Sequence, residues 1–345
     1  MIAMAESAPS AREPIEGLRS IRAQPSAIEF LRSALAGGRL STALLFEGPE
    51  GVGKERCARA LAQCTVCISK REDGDACGRC AMCRAIDHNT YVDVMTLARD
   101  VNVLTQEQVT GPEAKSEITV DKVRELQRER LAYMPHGTAR WVIVRDAHDL
   151  NTSASNSLLK TLEEPPANTY FVLITHRPSE LLVTVRSRCQ RVRFAPLPTD
   201  DVRAILAAHK IPDAVAQDAA KWAEGSAGRA LAMANPELLA TRKSWLERLL
   251  SALRAGKPGA IVEVAESFEA ALKGVEDKDD EVVVILTMLE RYFRDEALAA
   301  VSDAKRATVN AARSQLVRQT IASLDQNLKA QMAIESLLVR LRDAR

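Results

Sequence analysis

The sequence predicts an α/β domain, a parallel sheet covered by helices on both faces, followed by a region built of helices alone. Three observations predict it. A short apolar segment at residues 43–46 runs straight into Gly48-Pro49-Glu50-Gly51-Val52-Gly53-Lys54, the G-x-x-x-x-G-K frame of a phosphate-binding loop between a strand and a helix. Further apolar segments at residues 92–97, 141–144, 171–174 and 191–194 alternate with helical patterns, which implies parallel strands joined by helical crossovers. Beyond Pro196 no strong strand pattern recurs, and from Arg242 the periodicity is helical throughout.

Each element has a local reason. Residues 25–40 place Ile28, Leu31 and Leu35 on one helical face and deliver the chain to the first strand. The helix after Lys54 carries Ala58, Ala60 and Ala62, small residues suited to packing on a sheet. A polar insert follows at residues 69–76 and ends in Cys77-Gly-Arg-Cys80-Ala-Met-Cys83. Residues 105–115 are polar, contain Gly111-Pro112, and read as a loop. Residues 120–131 read as a helix through Val123, Leu126 and Leu131. The segment 152–163 reads as another, stopped by Pro165-Pro166 because proline cannot extend the hydrogen-bond ladder. Residues 200–234 offer only short helical patterns. Leu246, Leu249, Leu250 and Leu253, then residues 282–298, then Leu324, Leu328, Met332, Leu337, Leu338 and Leu341 mark longer helices, with a break near residues 255–258.

Composition narrows the function classes. With 345 residues the chain can bury a large core and divide into two or three domains. A net charge of +1 supplies no global basic field for nucleic acid, so any DNA contact must come from a local patch or a larger assembly. The longest aliphatic string, residues 282–286, falls far short of the roughly 18 residues that span a bilayer. The first fifteen residues lack a basic start and an apolar core, which predicts a frayed tail rather than a signal peptide. The expected location is the cytoplasm, and the expected contacts include no membrane.

In the phosphate-binding loop, Gly48, Gly51 and Gly53 let backbone N–H groups curl around an anion, and Lys54 can reach the outer phosphates. The next position should carry a hydroxyl that coordinates Mg²⁺; it is Glu55. Residues 141–144 lead to Asp146, the expected metal-binding carboxylate, but the following residue is Ala147 where a water-activating carboxylate is expected. Asp149 is the nearest substitute. General-base positioning is commonly worth about 10²–10⁴-fold. These two departures predict a loop kept as scaffold, with ATP or ADP bound passively or not at all and not hydrolysed.

Cys77-x-x-Cys80-x-x-Cys83 has metal-ligand spacing. Thiolates in C-x-x-C pairs close a tetrahedral Zn²⁺ site with no position left for water, so a structural zinc is expected. A ferredoxin-type cluster would place another cysteine four positions on, where Asp87 stands. The fourth ligand is open among Cys67, Cys64 and His88; Cys57 reads as a packed small residue.

The stretch Asn156-Ser-Leu-Leu-Lys-Thr-Leu-Glu-Glu-Pro-Pro166, then residues 171–175, then Ser187-Arg188-Cys189, resembles the clamp-loader branch of the AAA+ ATPases, within it the delta-prime type of bacterial DNA polymerase III. The resemblance covers residues 18–233, and the two departures above match the inactive members of that branch. It implies an AAA+ P-loop domain at 17–196 after a flexible tail at 1–16, a zinc module at 64–88 with Cys67 as fourth ligand, a helical lid at 197–241, and a helical oligomerisation collar at 242–345. It implies that Arg188 acts catalytically in trans, reaching a neighbouring subunit's ATP, with Arg186 as competitor. Thr175 falls where the family places a γ-phosphate sensor. Gly228 falls where active relatives carry a second sensor arginine, and Arg229 beside it reads as a solvated residue. The implied partners are gamma/tau and delta subunits in a hetero-oligomer, with the sliding clamp and primer-template DNA reached through it. The implied role is that of a stator. Two other readings stay open: an ATP-hydrolysing gamma/tau-like subunit, and a zinc-dependent nucleic-acid-binding module with a relict P-loop.

Overall fold

A computed structural model of the protein describes residues 13–109, 116–234, 236–255, 259, 263–264, 278–324 and 330–344. Five parallel strands, β1 (Ala43–Glu47), β2 (Val94–Leu97), β3 (Arg140–Val144), β4 (Thr169–Thr175) and β5 (Gln190–Arg193), form one sheet in the order β2-β3-β4-β1-β5. The central strands read as unbroken apolar runs because both faces are covered. Leu45, Val142, Val144, Phe171 and Leu173 line one face together with Val123 and Leu126 from α4 (Val120–Glu125) and the turn after it, and with Ala154, Leu158 and Leu162 from α5 (Thr152–Glu163). The alternate residues, among them Leu44, Phe46, Trp141 and Ile143, are fully buried on the other face. There the indole of Trp141 donates to Thr65 Oγ1 of α2 (Lys54–Val66) at 2.9 Å.

The strands and helices lie where the sequence places them, with shifted ends. The first helix, α1, stops at Ala36 instead of residue 40, because Gly37 and Gly38 turn the chain, Gly38 with φ 61°. Strand β2 starts at Val94, not residue 92. The last strand ends at Arg193, although the Phe194 N–H still donates to the Glu47 carbonyl at 2.8 Å. The helix expected over 120–131 is α-helical only to Glu125 and continues as a π turn, Leu126–Leu131, an insertion that re-aims side chains. Residues 105–109 form a loop as expected; residues 110–115 and the break at 256–258 lie outside the described residues.

The expected tail needs correction at its end. Residues 1–12 lie outside the described set, but Ile15 is fully buried. Its N–H donates to Asp87 Oδ1 at 3.0 Å, and the Gly17 N–H donates to Gln63 Oε1 at 2.9 Å. Asp75 accepts from the N–H groups of Leu18 and Arg19, both at 2.9 Å. This strap is tied down by polar side chains from α2 and the insert, not by its own composition.

The chain divides into two compact units, residues 1–210 with 224–228, and residues 211–223 with 229–345. The first unit also holds α3 (Ala81–Asp87), α6 (Val183–Arg186) and α7 (Thr199–Ala208). The second is helical: α8 (Asp213–Trp222), most of α9 (Ala227–Met233), α10 (Pro236–Ala255), α11 (Lys278–Ala299), α12 (Ala304–Leu324) and α13 (Ala330–Asp343). Its core joins Trp245, Leu249, Leu286, Leu289, Phe293, Val317, Leu337 and Leu341. Arg242 and Glu281, both nearly fully buried, form an ion pair within it. Among the described residues, no helix is long and apolar enough to cross a membrane.

Candidate functional site

The phosphate-binding loop spans from β1 to α2. Gly48 (φ 144°) leaves β1 against the Phe194 carbonyl, and Gly53 (φ 93°) caps α2 in a left-handed conformation. Gly51 (φ 70°) lies against the segment 224–228 of the same unit: the Gly228 N–H donates to the Gly51 carbonyl at 3.0 Å, and a Cβ on Gly51 would collide with Ser226 Oγ. A Cβ on Gly228 would stand 3.1 Å from the Gly51 Cα. Lys54 is buried and folds back on its own loop, donating to the carbonyls of Gly48 at 2.7 Å and of Pro49. Burial pulls its ammonium down to about 8, with the carboxylates of Glu50 and Asp146 acting in the opposite sense.

Glu55 does not face the loop. Its Oε1 accepts from Arg59 Nη2 at 2.9 Å and from Nε at 3.2 Å, one helical turn along α2, and Arg59 also bonds Asn89. The carboxylate that replaces the metal-binding hydroxyl is therefore drawn along the helix.

Asp146 lies two residues beyond the end of β3, in a left-handed conformation, φ 48°. Burial raises its carboxyl above the usual range, against the guanidinium of Arg145. Ala147 is fully buried, and Asp149 faces Arg99 Nε at 3.6 Å. The sequence reading missed His148. Its Nδ1 lies 3.2 Å from Thr175 Oγ1, its ring packs edge-on to His176 at 4.4 Å, and burial, then His176, pull it down to about 3. Thr175 is fully buried and its Oγ1 also accepts from the Arg177 N–H at 2.9 Å. Its hydroxyl is thus spent inside the protein. Ligand-type atoms of Asp146, His148 and His176 lie within 4.8 Å of one another. Arg177 Nε donates to His176 Nε2 at 3.1 Å, which leaves the ring proton on Nδ1, the nitrogen 4.0 Å from Asp146 Oδ1. Thr175, His148, His176 and Arg177 are thus tied by hydrogen bonds and ring packing, with Asp146 beside them.

The Ser-Arg-Cys segment follows α6. Cys189 is buried, and Arg186 keeps its Nε buried. Arg188 lies at the surface with about a third of its side chain exposed (34%). Its Nε and Nη2 bind Glu163 Oε1 at the end of α5, and its Nη1 donates to the Thr184 carbonyl at 2.9 Å.

Cys67, Cys77, Cys80 and Cys83 converge, with their sulfurs within 4.8 Å of one another and those of Cys67 and Cys80 3.9 Å apart. Four thiolates at about 2.3 Å from a tetrahedral zinc would stand about 3.8 Å apart. The N–H groups of Cys77 and Cys80 point at the sulfurs of Cys67 and Cys77, at 3.4 and 3.3 Å, as a thiolate cage requires. Cys64 stands apart: its thiol donates to Asp75 Oδ1 at 3.0 Å, and burial with this bond pushes it up to about 12. Cys57 is fully buried, and His88 is not brought into the cluster. The four sulfurs fit zinc.

Over 170 residues the chain is 36% identical to DNA polymerase III subunit delta' of Escherichia coli, covering 49% of this chain and 47% of that one. It is 34% identical over 183 residues to subunit delta' of Pseudomonas aeruginosa, 52% of each. It is 34% identical over 165 residues to DNA polymerase III subunit tau of Bacillus subtilis, covering 48% of this chain and 26% of that one. The chain therefore spans about half the length of these delta' relatives and about a quarter of the tau relative. The family model described as DNA polymerase III, delta subunit, matches residues 23–198, just over half of the chain, and this protein belongs to that family.

Proposed function

We propose that the chain is the delta-prime type of clamp-loader subunit, inactive at its own P-loop and acting as a stator that lends Arg188 to a neighbouring ATPase subunit. The observation that carries this reading is a contrast between two places on one unit. At the P-loop three groups that would work on a nucleotide are engaged within the protein: Glu55 by Arg59, Thr175 by His148 and Arg177, Lys54 by loop carbonyls. Ala147 contributes no carboxylate. Arg188, by contrast, stands at the surface in an ion pair that a stronger anion can displace. A planar, permanently charged guanidinium suits a γ-phosphate whose charge spreads in the transition state. Such a group supplied in trans is worth about 10³–10⁵ in rate.

In this reading Gly48, Gly51, Gly53 and Lys54 keep the loop's shape, Asp146 and Thr175 are relics of a metal and phosphate site, and nucleotide is at most held passively. Cys67, Cys77, Cys80 and Cys83 hold a structural zinc, which fixes an insert too polar to fold by itself. Residues 197–241 serve as lid and 242–345 as collar, joining gamma/tau- and delta-type partners in an assembly that loads the sliding clamp on primed DNA. The similarity to subunit tau of Bacillus subtilis keeps one second reading in play, an ATP-hydrolysing subunit of the same machine. ATP turnover by the purified chain separates them. The proposal expects turnover no higher than that of a Lys54→Ala control, together with recovery of the chain in a complex with gamma/tau and delta subunits. Tight DNA binding by the chain alone would instead favour a nucleic-acid-binding module.

A further inference from the structure

The helical second unit contains a cavity of about 540 Å³ between the end of α10, α11 and the first half of α12. Its apolar floor includes Leu250, Leu253 and Val309. Its polar wall is cationic and unbalanced. Arg254 Nη2 donates to the Tyr292 hydroxyl at 3.3 Å, which leaves the phenolic proton to donate onward. Arg313 lies over the Phe293 ring at 5.7 Å, and its Nε is buried without a hydrogen-bond partner among the described residues. Among the described residues neither arginine has a carboxylate partner. The two carboxylates on the wall are engaged elsewhere: Glu296 pairs with the Arg306 side chain, and Asp303 Oδ1 accepts from the Arg306 N–H at 3.1 Å. Lys305 adds a further positive charge at the rim. An unpaired, half-buried guanidinium costs free energy that a matching anion recovers.

We propose that this cavity binds a carboxylate carried on an apolar body, and specifically an acidic peptide segment of a partner polypeptide, with a Glu or Asp next to an aliphatic residue. The carboxylate would accept from Arg254, Arg313 and the Tyr292 hydroxyl, while the neighbouring apolar side chain covers Leu250 and Val309. Donors lining one cavity select an anion, and the apolar floor selects what it is attached to. The site belongs to the second unit alone and is independent of what the P-loop does.

Calorimetric titration of the full chain tests it, with acetyl-Leu-Glu-Leu-Glu-amide, its Leu-Gln-Leu-Gln analogue and free octanoate as probes. The glutamate peptide should bind, the glutamine analogue at least tenfold more weakly, and added salt should weaken the former selectively. Arg313→Ala and the exposed Arg254→Ala should each reduce glutamate-peptide affinity at least tenfold; the second variant controls for any loss of packing on Phe293 in the first. Octanoate binding more tightly than the peptide, and lost in the same variants, would assign the site to a free amphipathic acid and overturn the peptide assignment. Equal binding of the two peptides, binding unchanged in both variants, or no binding of any probe would overturn the proposal.

Discussion

Arg188 is bound to Glu163: two guanidinium nitrogens of the Ser-Arg-Cys segment meet one carboxylate oxygen at the end of α5. Both residues belong to the sequence motifs that carry the family resemblance, and the fold brings their ends together across a separation of 25 positions. For Arg188 to reach a neighbouring subunit it must leave Glu163. Both side chains are substantially exposed, and an exposed ion pair is worth about 0–1 kcal/mol. Glu163→Gln should therefore raise ATP turnover of the assembled loader without clamp and DNA by up to about fivefold, the factor that corresponds to the upper limit of that range. A fall in turnover would mean that Glu163 orients Arg188 rather than holding it back.

Lys54 gives a pH prediction with a definite sign. Its ammonium is lowered from 10.5 to about 8 by burial. Between those values the unfolded chain binds the proton that the folded chain has released, so stability rises with pH in that window and the charged-form penalty is fully present below about 8. Denaturant unfolding of the protein and of Lys54→Met, compared from pH 7 to 10.5, should show their difference moving in favour of Lys54 by about 3 kcal/mol. A flat difference would place the ammonium in water.

The cysteine cluster separates two neighbouring cysteines. Cys67→Ser should lose stoichiometric zinc on elemental analysis, whereas Cys64→Ser should keep it, because Cys64 donates to Asp75 instead of joining the cluster. Chelation should also loosen the strap at residues 15–19. Gln63 ties Ile15 and Cys83 together, and Asp75 holds Leu18 and Arg19 from within the insert. Amide exchange at Leu18 and Arg19 should quicken on zinc removal while β1 remains protected.

Gly51→Ala tests the contact between the loop and segment 224–228. The position has φ 70° and no room for a Cβ against Ser226. The substitution should destabilise the protein by about 1–3 kcal/mol, read as a lower denaturation midpoint with an unchanged slope. Gly53→Ala, also left-handed but open to solvent, should cost less.

The elements that could be read from the sequence are those whose physics is local. β1, β3 and β4 are continuous apolar runs because both faces are covered, and Pro165-Pro166 ends α5 wherever that helix packs. The cysteine spacing carried its own geometry. What escaped lies in pairings between distant segments. His148 and Thr175 meet because the ends of β3 and β4 are adjacent in the sheet, which no spacing announces. Helix α12 gives no apolar stripe because Asn310, Ser314 and Thr320 are among its buried residues. There Glu290 of α11 accepts from Ser314 Oγ at 2.8 Å. Ile15 looked like part of a frayed tail because its partners, Asp87 and Gln63, come from two other elements.

The most direct test of the central claim is clamp- and DNA-stimulated ATP turnover of the reconstituted loader carrying Arg188→Ala in this subunit, beside the unsubstituted assembly and the isolated chain. The account predicts little turnover by the isolated chain and, in the assembly, loss of most of the turnover of the single site that Arg188 serves, at a rate cost of about 10³–10⁵ there. Full turnover with Arg188→Ala, or hydrolysis by the isolated chain that Lys54→Ala abolishes, would contradict it.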